Sequence, residues 1–312
     1  MKNCTSQRNV TSTMRPDSTL LAGVINFFAA LNIFLLITAC LGNGLILIAL
    51  RKVSSVQPPT KLLFQCLAIT DLGVGLIAHP LLVLFFTSTV PKVFKYVKHV
   101  KDALTATSLI LCSASMLAST AISVDRLLAL LLGLRHRHVV TLSRVRMAIV
   151  CFCLIGVFAA LLNIFSGSFI GLSIGLVFAF LFLVISVFSC TKIFLKLQNQ
   201  QAQVSQNHAH QGQQNGGGIP VNIARYKRTV SSIAWVQQAL VVCYYDLPSI
   251  ISFLVGYITN ERDGVGEAIA WNFSVMFVYF SSSLNPIFYC WKINEVRQVV
   301  RDTVKQFCCS SS

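Results

Sequence analysis

Apolar runs, each about as long as the ~20 residues a bilayer crossing demands, alternate with short polar or basic segments along this chain. The alternation marks seven spans, near 22–50, 61–88, 102–132, 146–166, 168–195, 225–257 and 267–291. A polar leader fills 1–21, and 196–224 is a Gln/Asn/His/Gly-rich stretch whose composition predicts a flexible loop. After Lys292, apolar positions Ile293, Val296, Val300, Val304 and Phe307 recur every three or four residues with Arg297, Arg301 and Lys305 between them. That spacing predicts an amphipathic helix on the membrane surface, within a tail of 292–312. The expected fold is therefore an all-α membrane protein, a seven-transmembrane helix bundle with a short amphipathic eighth helix.

Polar residues inside the apolar runs say which faces meet protein. In the third span Ser108, Cys112, Ser115 and Ser119 follow at spacings of four, three and four, and Arg126 continues the line. These residues share one face of a helix. Lipid offers them no hydrogen-bond partner, so the face turns into the bundle. Asp125 and Arg126 stand together where this span ends, before the basic run Arg135-His136-Arg137-His138. Ionisable groups at membrane depth are costly and mark function; the alternative is a helix-end pair reaching the headgroups.

The second span carries a single carboxylate, Asp71, which needs a cation, a proton or several donors. Either it has a function or it is a protonated packing residue. Pro80 bends the same span farther along, and Pro248 bends the sixth beside Asp246. Asp246 reads equally as a ligand or ion contact and as a hydrogen-bonded structural acid. In the seventh span Pro286 frees the carbonyl of Ser282, with Ser281, Ser283 and Asn285 around the break.

Composition agrees with the pattern: 55% of the 312 residues are hydrophobic and only 11% charged, against about 25% charged in soluble domains. The net charge of +15 does not indicate nucleic acid, because the basic residues sit in the short connections, where they orient the chain and meet anionic lipid. With the amino terminus outside, eight Lys and Arg fall outside and sixteen inside, with Arg126 at the boundary. Two sequons in the leader, at Asn3 and Asn9, agree with that orientation as glycosylation sites. Lys92, Lys95, Lys98 and Lys101 run against the trend, as a solvated face or an attractor for an anionic ligand. Cys308 and Cys309 after the amphipathic helix are candidate palmitoylation sites, or a reduced pair. His208 and His210 stand without further metal-ligand support, no external disulfide framework is expected, and the leader is too polar for a cleaved signal peptide. No nucleophile–base pair, ligand spacing or phosphate loop points to an enzyme.

Four signals in order, Gly42-Asn43, LAITD ending at Asp71, AISVDRLLAL around Asp125-Arg126 and LNPIFY around Pro286, resemble the rhodopsin-like (class A) G protein-coupled receptors over essentially the whole chain. The resemblance implies a plasma-membrane receptor, amino terminus extracellular and carboxyl terminus cytoplasmic, that couples an extracellular ligand to a heterotrimeric G protein, with arrestin and membrane lipid as further partners. It implies that Asp125 and Arg126, with Asn285, Pro286 and Tyr289, form the activation switch. Asn43, Asp71, Ser115, Ser282 and Asn285 would form a sodium-binding cluster, with no other cofactor.

Departures narrow the ligand. Lys101 stands where most members carry the cysteine tied to the second outer loop, Leu127 replaces the usual Tyr after the acid-Arg pair, and Asp246 replaces the usual sixth-span Trp. The missing fifth-span proline and the tiny second outer loop are most similar to the melanocortin, adenosine, cannabinoid and lysophospholipid receptors. Ser108 takes the place of the aspartate that pairs with biogenic amines, and Tyr279 that of the lysine that carries retinal, so neither ligand is expected. The candidate pocket is Ser108, Cys112, Asp246 and Asn272. The rival readings are a non-signalling scaffold or decoy, and a transporter or channel, although no inverted repeat is visible.

Overall fold

The computed structural model describes residues 18–54, 56–88, 97–166, 265–292 and 294–310, and parts of 177–199. The elements in order are α1 (Ser18–Lys52), α2 (Pro58–Gly73), a π-helical segment (Val74–Ala78), α3 (His79–Ser88) and α4 (Val97–Leu132). A 3-10 turn (Gly133–Arg135) leads to the short α5 (His136–Val139), followed by α6 (Leu142–Ser166), α7 (Val265–Lys292) and α8 (Asn294–Ser310). The described residues within 177–199 are helical, and the sixth expected span lies outside the described residues. The fold is an all-α helical bundle.

Four continuous stretches, Ile25–Lys52, Pro58–Phe86, Lys98–Val139 and Leu142–Phe165, are long and apolar enough to cross a membrane. Their outward faces are those of a lipid-solvated bundle: Phe34 and Leu41 on α1, and Val150, Leu154, Phe158 and Phe165 on α6, are exposed. In water such a surface would be an association hazard; in lipid it costs nothing. α4 starts at Val97, so Lys98 and Lys101 ride exposed on its first turns.

Pro80 is the second residue after the π-helical segment. Its ring cannot pass the carbonyl four residues back, and the wider π turn accommodates it by slipping the hydrogen-bond pattern by one residue.

Glycines allow the closest approaches. A Cβ at Gly42 would lie 2.8 Å from Pro286 Cγ, so α1 and α7 touch at this point. At Gly156 a Cβ would meet Ser113 Oγ at 2.7 Å and the carbonyl oxygen of Ile110 at 3.0 Å, which brings α6 against α4. Two apolar clusters fill the interior. One joins Ile46, Leu50, Phe64, Leu67, Ile122, Tyr289 and Val296; the other joins Phe28, Leu35, Val74, Leu82, Phe86, Leu104 and Tyr279. The polar layer around Asp71 is set between them in the sequence of every helix that contributes to it.

Candidate functional site

Asp71, on the last turns of α2, is fully buried. Its Oδ1 accepts hydrogen bonds from Ser115 Oγ (2.8 Å) and Ser282 Oγ (2.9 Å), and its Oδ2 accepts from Asn285 Nδ2 (2.6 Å). One carboxylate thus gathers α4 and α7 onto α2. Bonds of this kind are strengthened when the accepting carboxylate is ionised. No basic side chain pairs with Asp71 among the described residues.

The Pro286 break completes this layer. The ring removes the donor that would have capped the Ser282 carbonyl, and Asn43 Nδ2 supplies one instead at 3.0 Å, while also donating to Ala39 O at 2.9 Å. Asn43 Oδ1 is buried with no hydrogen-bond partner among the described residues. Ser283 Oγ donates to Leu35 O at 3.1 Å, fastening α7 to α1 a second time. All five residues expected to form an ion cluster, Asn43, Asp71, Ser115, Ser282 and Asn285, lie in this connected layer. A carboxylate, two hydroxyls and amide oxygens, one of them unsatisfied, form a donor set that suits a hard monovalent cation.

The second layer lies near the end of α4. Asp125 is buried, and its carboxylate is turned away from its neighbour Arg126: Oδ2 accepts from Thr60 Oγ1 on α2 at 2.8 Å, and Oδ1 meets His136 Nε2 on α5 at 2.9 Å. The adjacency in sequence suggested an acid–base pair; in the bundle the acid instead ties α4 to α2 and to α5. Consecutive residues on a helix point some 100° apart, so Asp125 and Arg126 face different neighbours. Arg126 holds its guanidinium over the Phe64 ring, 5.6 Å from the centroid, and its Nε has no hydrogen-bond partner among the described residues. Tyr289 packs edge-on against the same ring, with centroids 5.1 Å apart. Phe64 therefore connects Arg126 to Tyr289.

At the opposite end, Ser108 bonds the hydroxyl of Tyr279, a residue with no exposed surface. Tyr279 in turn packs edge-on against His79 (centroids 5.1 Å apart), which is joined to Asn32. Cys112, one turn from Ser108, is buried in the same region. Of the other pocket candidates, Asn272 lies on α7, of its backbone alone something is described, and Asp246 lies outside the described residues. Asn3 and Asn9 lie outside them too; Cys309 is exposed at the end of α8, the helix that also carries Cys308.

Thr60, His136, Asn32, His79 and Phe64 carry the site's contacts without having been singled out for them. Asn32, one of three Asn in the first span, and His79, the one His of the second span, were the available signal for two of them. His136 was hidden within a basic run.

Residues 42–171 match the family described as 7 transmembrane receptor (rhodopsin family). The chain is 26% identical to the histamine H2 receptor of Homo sapiens over 315 residues, covering 94% of this chain and 82% of that protein. The guinea pig (Cavia porcellus) histamine H2 receptor is likewise 26% identical, over 89% of this chain and 78% of its own length. The adenosine receptor A2b of Rattus norvegicus is 33% identical over a shorter stretch, 38% of this chain and 34% of the relative. Apolar membrane-crossing helices, a motif-bearing interior and a family match that begins at Gly42 of the α1–α7 contact converge: over 42–171 the chain is similar to the rhodopsin family of seven-transmembrane receptors, and together these findings support a rhodopsin-like, multi-pass membrane receptor of the G protein-coupled class.

Proposed function

We propose that this receptor carries a signal from a non-cationic extracellular ligand to a heterotrimeric G protein, with the amino terminus outside and Arg126 at the cytoplasmic end. The observation that carries the reading is the arrangement around Phe64: Arg126 and Tyr289 meet on one aromatic ring, and the Asp125 carboxylate is engaged elsewhere. Among the described residues Arg126 is therefore held by a ring contact of roughly 0.5–2 kcal/mol rather than by an ion pair. A restraint of that size can be exchanged for contacts to a partner when the bundle opens. The ligand acts by binding the open state better than the closed one, and the shift equals that difference in affinity.

Two subsidiary proposals belong to the same reading. Asp71, with Ser115, Ser282, Asn285 and Asn43, would hold a sodium ion, which neutralises the buried carboxylate and favours the closed packing. The relatives named for histamine and adenosine differ in ligand chemistry; Ser108, bonded to Tyr279, supplies no anion for an ammonium group, which supports an uncharged ligand. Arrestin, glycosylation at Asn3 and Asn9, and palmitoylation at Cys308 and Cys309 complete the proposal.

The test is nucleotide exchange on a panel of G proteins in membranes holding this chain, at matched surface display, with Arg126→Ala beside it. Basal or ligand-stimulated exchange that falls at least tenfold in Arg126→Ala is expected. Exchange that survives the substitution, or an absence of exchange with every G protein while the protein is well displayed, contradicts the proposal and favours a binding-only scaffold. Ion flux through the purified chain in liposomes would favour a channel.

A further inference from the structure

The polar set at the Phe28–Leu104 end allows its protons to be placed one by one. Asn32 and His79 have no exposed surface. Asn32 Nδ2 donates to the backbone carbonyl of His79 at 2.9 Å. A carbonyl only accepts, so the orientation of that amide is decided, and Oδ1 is the atom facing His79 Nδ1. An amide oxygen also only accepts, so Nδ1 carries the proton. In the neutral ring Nε2 is then a bare lone pair, an acceptor.

That acceptor has no hydrogen-bond partner among the described residues. The nearby hydroxyls do not supply one. Ser108 Oγ donates to Leu104 O at 2.6 Å, so the bond between Ser108 and Tyr279 must run from the tyrosine hydroxyl to the serine oxygen. The protons of both hydroxyls are thus already placed. Nδ1 faces Asn32 on α1, so Nε2 lies on the other edge of the ring, away from Asn32, and Tyr279 packs edge-on against the ring. A π-helical segment ends immediately before His79, and π turns recur at functional sites.

We propose that His79 Nε2 is the anchor of a buried ligand subsite that takes a neutral hydrogen-bond donor, a hydroxyl or an uncharged N–H. The proposal rests on the receptor reading above and deepens it. An ammonium group is the wrong occupant: no carboxylate among the described residues lies beside the ring. Asp71 is engaged by three donors and Asp102 is exposed on the first turns of α4. Unlike a pocket that merely excludes cations, this one demands a donor, because anything apolar placed there leaves a buried lone pair unpaired. A water molecule would satisfy the same atom, and the experiment separates the two sources.

The full chain in lipid nanodiscs is unfolded by heat with adenosine, 1-oleoylglycerol and, as the cation, histamine. Each neutral probe is run beside a twin in which every hydroxyl and amino hydrogen is replaced by methyl. A neutral probe is expected to raise the unfolding temperature of the unsubstituted chain, and its methylated twin to bind at least tenfold more weakly. In His79→Phe the probe and its twin should bind alike. His79→Gln, which keeps an acceptor oxygen, should recover part of the difference, and it serves alone with the parent if His79→Phe does not fold. The proposal is overturned if neither neutral probe stabilises the chain, if histamine alone does, or if methylation costs as much in the His79 variants as in the parent, the pattern expected when the site holds only water. Arg126-dependent nucleotide exchange, read on the same preparations, shows whether the subsite or the receptor reading has failed.

Discussion

Asp71 and Asp125 are both buried carboxylates, and the bundle answers them in different ways. Asp71 receives three neutral donors from two distant helices and meets no cation among the described residues. Asp125 receives one hydroxyl and one imidazole, the imidazole only 11 residues away in sequence. The first arrangement places a carboxylate where helices α2, α4 and α7 meet, and under the proposal above an ion held there would couple to their packing. The second is closed within itself: it pins a short connecting helix to the end of α4 and leaves the neighbouring Arg126 to an aromatic ring. A single residue type thus serves once as a hub between membrane helices and once as a clip for a loop.

The strongest way to break the comparison is to delete the hub. Asp71→Ala strands the Ser115, Ser282 and Asn285 donors, each at a cost of roughly 1–3 kcal/mol when buried. Thermal unfolding in nanodiscs should show a loss of about 3 kcal/mol or more. Asp71→Asn, which keeps an acceptor, should lose clearly less. Equal losses would mean that the donors find other partners.

Gly42→Ala acts on the same hub from outside its polar atoms. The new methyl would sit 2.8 Å from Pro286 Cγ, and neither a proline ring nor a helix backbone moves cheaply. Overpacking of this kind costs about 1–3 kcal/mol. Pairing it with Pro286→Ala should recover part of the loss, and a strictly additive double variant would show that the contact is not the cause.

At the clip the expected effects are smaller in stability and larger in signalling. His136→Ala leaves Asp125 with Thr60 alone, freeing α5, and basal nucleotide exchange should rise several-fold while the unfolding temperature changes little. Unchanged exchange would show that α5 does not restrain the coupling surface. Thr60→Val removes a single hydroxyl donor, and its cost of about 1 kcal/mol should appear as a small shift in the same two assays.

Local chemistry was legible in the sequence where spacing carries it. The third-span stripe placed Ser108 and Ser115 on an inward face, and Ser115 indeed reaches Asp71. Pro286 implied an orphaned Ser282 carbonyl, and Asn43 is the residue that satisfies it. What could not be read was pairing across the fold. Thr60 and Asp125 are 65 residues apart, Asn32 and His79 are 47 apart, and nothing in either segment names its partner. The Asp125–Arg126 pairing was misleading for a geometric reason: neighbours in a helix diverge, while neighbours in text look joined. The π-helical segment before Pro80 was likewise invisible, because hydropathy reports which residues are apolar and not how their backbone bonds slip.

The most direct measurement sets the hub against the clip. Nucleotide exchange would be followed while sodium replaces a bulky organic cation at constant ionic strength, in the parent chain, in Asp71→Asn and in His136→Ala. Sodium should suppress exchange in the parent and in His136→Ala, and have no effect in Asp71→Asn. If Asp71→Asn remains as sodium-sensitive as the parent, Asp71 is not the ion-responsive hub, and the division of labour between the two carboxylates is wrong.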